Sequence, residues 1–130
     1  MTLRITSVCL LLAGCAPLGG VWSGSCDLEG ASGPAFYDIL EVDLDAGAAR
    51  MQPDFWDEVI VGTVEADRKG SNVELVADMG DEIVGFTLFL DGVLAGDTIE
   101  GDCRTEVEEG NPLETGNGQL ERMDSAAAGG

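Results

Sequence analysis

The residues with the most reactive potential in this chain are four cysteines, Cys9, Cys15, Cys26 and Cys103, set among 25 acidic side chains and no histidine. Without histidine there is no Ser-His-Asp or Cys-His arrangement and no imidazole metal site. Paired carboxylates can do acid–base work, but with this many acids some pairing is unavoidable and no pair stands out. Asp43 and Asp45, followed by Gly47, echo a calcium loop. An EF-hand needs its glycine one position earlier, a later bidentate Glu and flanking helices, so solvent-facing carboxylates at a strand end fit these two better. The sequence therefore points away from an enzyme, with no catalytic residue, metal ligand set or cofactor to name. Its chemistry falls to the thiols.

Cys15 stands where an apolar run ends. The chain opens "MTLRITSVCLLLAGCAP", with Arg4 near the start and no acidic residue before Cys15. The apolar stretch, about ten residues, is far short of the ~20 that span a bilayer, and it reads as a secretory signal. Leu12-Ala13-Gly14-Cys15 resembles the lipobox of bacterial lipoproteins: Leu, two small residues, then the cysteine. That resemblance implies a diacylglyceryl group on the Cys15 thiol and cleavage between Gly14 and Cys15. The freed amine would take a further acyl chain such as palmitate. Two or more chains are what stable anchoring requires, since one holds only marginally. Residues 1–14, with Cys9, would be the discarded signal, and residues 15–20 a lipidated N-terminus and short tether. Ala16, where inner-membrane lipoproteins tend to carry Asp, implies the outer membrane of the bacterial cell envelope. The competing reading is an ordinary signal peptide cleaved elsewhere.

Cys26 and Cys103 remain as an even pair in an exported chain, the usual setting of a disulfide. A metal or redox pair is the alternative, but there is no CxxC. Every acidic residue lies after Cys15, whereas Arg4 is one of only six basic ones, and the net charge is −19. Such a body repels nucleic-acid phosphates and anionic head groups. The acidity reads either as recruitment of a basic partner or as a solvated surface whose self-repulsion salt would screen.

From Val21 onward the apolar period is two. Trp22, Gly24, Cys26 and Leu28 share one face of Val21–Glu29. In Ala35–Asp45 the face is Phe36, Leu40, Val42 and Leu44, with Asp38 as the exception. Asp57–Asp67 and Asn72–Asp78 alternate as well. Val84, Phe86, Leu88 and Leu90 form the strongest apolar stripe and run into Asp91-Gly92, which predicts a type I′ hairpin turn. Val93–Val107 and Gly118–Met123 complete the set. Turn-rich breaks fall at "EGASGP", "DRKGS", "MGDE" and "EEGNPLETGNG", and Ala46–Trp56 reads as a weak strand or a long loop. This pattern predicts an all-β fold over residues 21–123 with one face of each strand buried, a small antiparallel meander barrel of seven or eight strands or, alternatively, a β-sandwich. Residues 124–130, "DSAAAGG", read as a disordered tail.

Gly20-Val21-Trp22 on the first strand and Arg122 on the last are similar to the lipocalin and avidin-like (calycin) barrels, where a Gly-x-Trp opens the first strand and a late basic residue packs over the indole. The resemblance implies an eight-stranded up-and-down barrel with a central cavity. A flat meander sets a constraint on it. If the first strand lies between the second and the last, Cys26 and Cys103 sit two strand spacings apart, roughly 9.5 Å, beyond the ~7 Å reach of a disulfide. Either Cys103 lies on a strand beside the first, or it sits at a rim where the chain bends inward.

Two functions remain open. One is a structural or interaction module of the envelope, with a filled interior and an acidic surface meeting a basic protein partner. The other is a barrel holding a small apolar or amphipathic ligand. Few aromatics favour the first. Phe55 and Trp56, adjacent between acids in "PDFWDE", are either a ligand or partner contact or a plug for the barrel's end.

Overall fold

A computed structural model describes residues 18–80, 85–108 and 111–123. The signal and lipidation residues 1–15, the start of the tether, Val84 and the tail 124–130 lie outside that set. Eight strands follow one another along the chain: β1 (Val21–Gly30), β2 (Gly33–Asp43), β3 (Ala48–Pro53), β4 (Ile60–Lys69), β5 (Asn72–Gly80), β6 (Gly85–Ala95), β7 (Thr98–Glu108) and β8 (Asn111–Arg122). Each pairs antiparallel with the next, and β8 returns to β1, closing a barrel. Closure leaves no sheet edge exposed. Eight strands give an interior that side chains just fill; here Trp22, Leu28, Ile39, Met51, Met79, Leu90, Ile99 and Leu120 fill it.

Alternation located the strands, and its failures mark where the barrel bends. In β2 the buried residues are Ala35, Tyr37 and Ile39, then Val42, while Phe36 is 40% exposed. The expected face of Phe36, Leu40, Val42 and Leu44 therefore holds at Val42 and at Leu44, which packs against the core, and is corrected at Phe36 and Leu40. The cause is a bulge. Ile39 pairs with Met51 and Glu41 with Arg50, so Leu40 is an extra residue with no partner on β3. One extra residue moves every later side chain to the other face, and reading the parity back from Val42 puts the first half of the strand out of phase.

Two further expectations are corrected and one left open is decided. Asp91-Gly92 is not a turn: β6 runs straight through it, with Asp91 paired to Asp102 and Gly92 to Gly101. The chain turns instead at Gly96-Asp97, with positive φ (63°) at Gly96 alone, the pattern of a type II′ hairpin. Gly92 is there for closeness, since a Cβ would lie 2.7 Å from the Glu100 carbonyl oxygen. Ala46–Trp56 contains β3. Most of "EEGNPLETGNG" is β8, whose inward positions include Gly116 and Gly118.

Those glycines explain the disulfide. Cys26 on β1 and Cys103 on β7 are bonded although β8 lies between their strands, and their Cα atoms are 6.2 Å apart. Neither of the two expected ways round the distance applies. Cys26 pairs with Gly118, and Cys103 with Gly116, so the bridge crosses the inner surface of β8 where no side chain stands in its way. Tight curvature at these glycines brings the flanking strands closer than two flat spacings allow.

Candidate functional site

Strand direction sorts the loops into two ends. Both described termini and the β2–β3, β4–β5 and β6–β7 turns lie at one, the terminus end; the β1–β2 turn and the 54–59 loop lie at the other, the far end. At the terminus end Gly20, Trp22 and Arg122 come together as the sequence suggested. Trp22 is fully buried and pairs across to Arg122, whose guanidinium carbon lies 4.4 Å from the indole centroid. The indole Nε1 donates to the Leu18 carbonyl at 3.0 Å, and Arg122 donates to the Gly19 carbonyl and, through Nε, to Asp97 at 3.0 Å. The Gly20 amide donates to Asp45 at 3.1 Å. Residues 18–20 are thereby strapped across the barrel's end. Asp43 accepts from the amides of Asp45 and Ala46 (3.1 and 3.0 Å), so both carboxylates of the suspected calcium loop serve the backbone. Among the described residues no group of three or more acidic, Cys or His side chains is arranged to hold a metal ion.

At the far end, inside the barrel mouth, lies a polar cluster the sequence reading missed. The Tyr37 hydroxyl donates to Glu114 Oε1 at 2.6 Å, and the fully buried Thr105 hydroxyl donates to the same oxygen at 2.8 Å. Phe55 meets the Tyr37 ring edge-on (5.8 Å, 89°) and Phe86 lies 5.4 Å from it. Signals for this cluster exist: Tyr37 alternates with Ala35 and Ile39, and Glu114 with Gly116, Gly118 and Leu120, but only once β8 and the β2 bulge are recognised.

Burial first, then the hydrogen bond and charge of Glu114, hold the Tyr37 phenol well above its ordinary value of 10.0. The unfolded chain ionises its tyrosine near pH 10 while the folded one keeps the proton. This contribution to stability is therefore whole below about pH 10 and is lost as pH climbs toward the folded-state value. Tyr37 is the only tyrosine, so tyrosinate absorbance reports on it alone. We expect that signal to appear above pH 10 together with loss of the strand circular dichroism. Ionisation near 10 in a still-folded barrel would show that the phenol is open to water.

The interior itself has no room for a ligand of ordinary size. Its apolar cavity, lined by Ile39, Met51, Val64, Leu75, Leu88 and Leu120 among others, holds about 10 Å³. Phe55 and Trp56 part company: Phe55 meets the Tyr37 ring while remaining 59% exposed, and half-buried Trp56 packs against the core and also lines a groove outside the barrel. That groove, about 240 Å³, is formed by Phe36, Asp38, Gln52, Pro53, Asp54, Trp56 and Asp57. Its shape is fixed by backbone pairing. The Asp54 amide donates to the Phe36 carbonyl at 2.8 Å, the Phe36 amide to Asp54 Oδ1 at 3.3 Å, and the Trp56 amide to the Pro53 carbonyl at 3.1 Å.

Elsewhere on the outer surface, Asp67, Glu74, Asp91 and Asp102 are direct cross-strand neighbours on β4 to β7. Like charges so placed repel; Arg104 relieves one of them, Asp91, at 3.3 Å. No family model, curated protein or solved structure gives a significant match to the chain, so its functional reading rests on this geometry.

Proposed function

We propose that this protein is a lipid-anchored lipoprotein of the bacterial cell envelope, in the outer membrane, whose barrel is a non-enzymatic interaction module and not a carrier. The observation that carries the second half is the filled interior: a cavity of about 10 Å³ against the ~300 Å³ or more of ordinary ligand sites. The buried tyrosine and threonine at the mouth are both satisfied by the half-buried Glu114, and the acidic exterior offers charge to a basic protein partner. The calycin likeness, supported by the Arg122–Trp22 stack, concerns shape and carries no ligand with it.

Anchoring by lipid also agrees with the outer face of the strands. A row of carboxylates is the opposite of the apolar band a membrane-embedded barrel turns to lipid. Leu18 is fixed by its carbonyl to Trp22, and it follows Cys15 by three residue steps, with Ala16 and Pro17 between. At ~3.5 Å per residue an acylated Cys15 holds the terminus end within about 11 Å of the bilayer surface and directs the far end away from it.

Two measurements test the reading. Cys15→Ser is expected to move the protein from the membrane fraction to the soluble one; unchanged membrane association would defeat the anchor. Native mass spectrometry of the extracted wild-type protein should give a chain beginning at Cys15 plus its acyl groups and nothing more. A reproducible further mass of a few hundred daltons would make the barrel a carrier.

A further inference from the structure

The groove at the far end has the chemistry of a cation site, and the protein's own arginines show how such a site is used. Arg104 lies over the Phe89 ring, 4.0 Å from its centroid, while bonding the carboxylates of Asp91 and Glu106 at 3.3 and 3.0 Å. Arg122 repeats the arrangement with Trp22 and Asp97. Each places a guanidinium over an aromatic face beside a carboxylate, which joins cation–π attraction to a charge-assisted hydrogen bond. The groove supplies the same two partners, the rings of Phe36 and Trp56 and the carboxylates of Asp38, Asp54 and Asp57. Among the described residues none of these three carboxylates has a cation of this chain in salt-bridge contact. Arg50 is on Glu41, and Arg68 and Lys69 belong to the β4–β5 hairpin at the opposite end of the barrel.

We propose that this groove takes an arginine or lysine side chain from a basic segment of a partner protein, so that the far end is the docking surface of the interaction module proposed above. The inference rests on that reading. Charge complementarity selects the occupant: rings alone would accept any apolar chain, but rings between three carboxylates disfavour everything except a cation. The larger acidic groove over β5 to β7 fits less well, because Lys69 lines it and Arg104 already engages its Asp91. Position agrees too, since a chain anchored through the terminus end presents this groove outward.

The test uses the acylated full-length protein in non-ionic detergent and a fluorescein-labelled oligo-arginine peptide, with the citrulline version as the uncharged control. Fluorescence anisotropy at physiological salt reads the affinity. The groove variant D38N/D54N/D57N is expected to bind at least about tenfold more weakly, and Phe36→Ser several-fold more weakly. The charge-matched variant D67N/E74Q/D102N should bind within about twofold of wild type. Asparagine at 54 still accepts the Phe36 amide, so the groove variant should keep its circular dichroism. Equal weakening in both triple variants would overturn the groove while leaving a basic partner in place, as diffuse attraction. Unchanged binding in the groove variant would overturn it as well. A wild-type protein that does not distinguish arginine from citrulline would overturn both the groove and the basic-partner reading.

Discussion

Gly118→Ala should cost this protein about as much stability as losing its disulfide. A Cβ at 118 would stand 2.1 Å from the Cys103 sulfur and 2.7 Å from that of Cys26, far inside any tolerated contact. Neither sulfur has a side chain's freedom to move aside, because the bond holds both. Either β8 leaves its place between β1 and β7 or the disulfide does not form. The cysteines are 77 residues apart, and closing a loop of that length is worth roughly 4.5 kcal/mol in the chain-entropy model. We expect Gly118→Ala to lose about 3–5 kcal/mol in denaturant unfolding and to show free thiols in the purified protein. The decisive comparison is the same substitution in a C26A/C103A background. With the sulfurs gone the new methyl enters the space they leave, and its cost should fall to about 1 kcal/mol or less, a large coupling in a double-mutant cycle. Equal cost in both backgrounds would mean that glycine serves the curvature of β8 and not the bridge.

That bridge also shows what could and could not be read from the sequence. Strand-by-strand alternation was enough for an all-β antiparallel fold, because each strand buries one face and period two is the direct record of it, but it left barrel and sandwich open. Pairing of Cys26 with Cys103 was legible from their export context. Their distance was not, since the flat-sheet estimate treats every strand as equally bulky, whereas Gly116 and Gly118 thin β8 where the bridge crosses it. Glycine-rich sequence signals turns and tight bends alike, and "ETGNG" and Asp91-Gly92 both read as turns while both belong to strands. In β2 one unpaired residue, Leu40, reversed the faces and concealed Tyr37. A bulge has no residue-type signature of its own and is fixed by the register of the neighbouring strands.

The candidate site divides along the same line. Trp22 and Arg122 were legible as a pair only through the likeness to calycin barrels, and the β1–β8 pairing is what brings them together. The mouth cluster joins residues 37, 105 and 114, whose meeting depends on the β2 bulge and on recognising β8. The outer groove depends on how the 54–59 loop hydrogen-bonds back to β2 at Phe36, a contact between an aspartate and an amide that no spacing rule marks. Phe55 and Trp56 were legible as adjacent loop aromatics. How each of them packs follows only from that loop.

Trp22→Ala is the other substitution with a large expected effect, and it reaches from the core to the N-terminal strap. The indole is fully buried, so its truncation should cost about 3–5 kcal/mol. More follows from its polar edge and upper face. Without the indole the Leu18 carbonyl loses its donor and the Arg122 guanidinium loses the ring beneath it, although Arg122 retains Asp97. The strap of residues 18–20 then depends on the Gly20–Asp45 contact at 3.1 Å, the Leu44 amide on the Gly20 carbonyl at 3.0 Å, and an Arg122 that no longer rests on a ring as it reaches the Gly19 carbonyl. We expect hydrogen exchange at the Gly20 and Leu44 amides, bonded to Asp45 and to the Gly20 carbonyl, to accelerate well beyond what global unfolding explains. Trp22→Phe separates the two roles: it keeps a ring beneath Arg122 and most of the packing but removes the Nε1 donor. It should cost about 1–2 kcal/mol and yet free the Leu18 end of the strap. If exchange at Gly20 and Leu44 stays slow in Trp22→Phe, Arg122 and the hydrogen bonds of Gly20 hold the strap without the indole nitrogen. If it rises while the barrel remains folded, the indole nitrogen is what ties the barrel closely to the chain leading back to Cys15. The far end, with its groove, would then lose the fixed orientation that a short tether imposes.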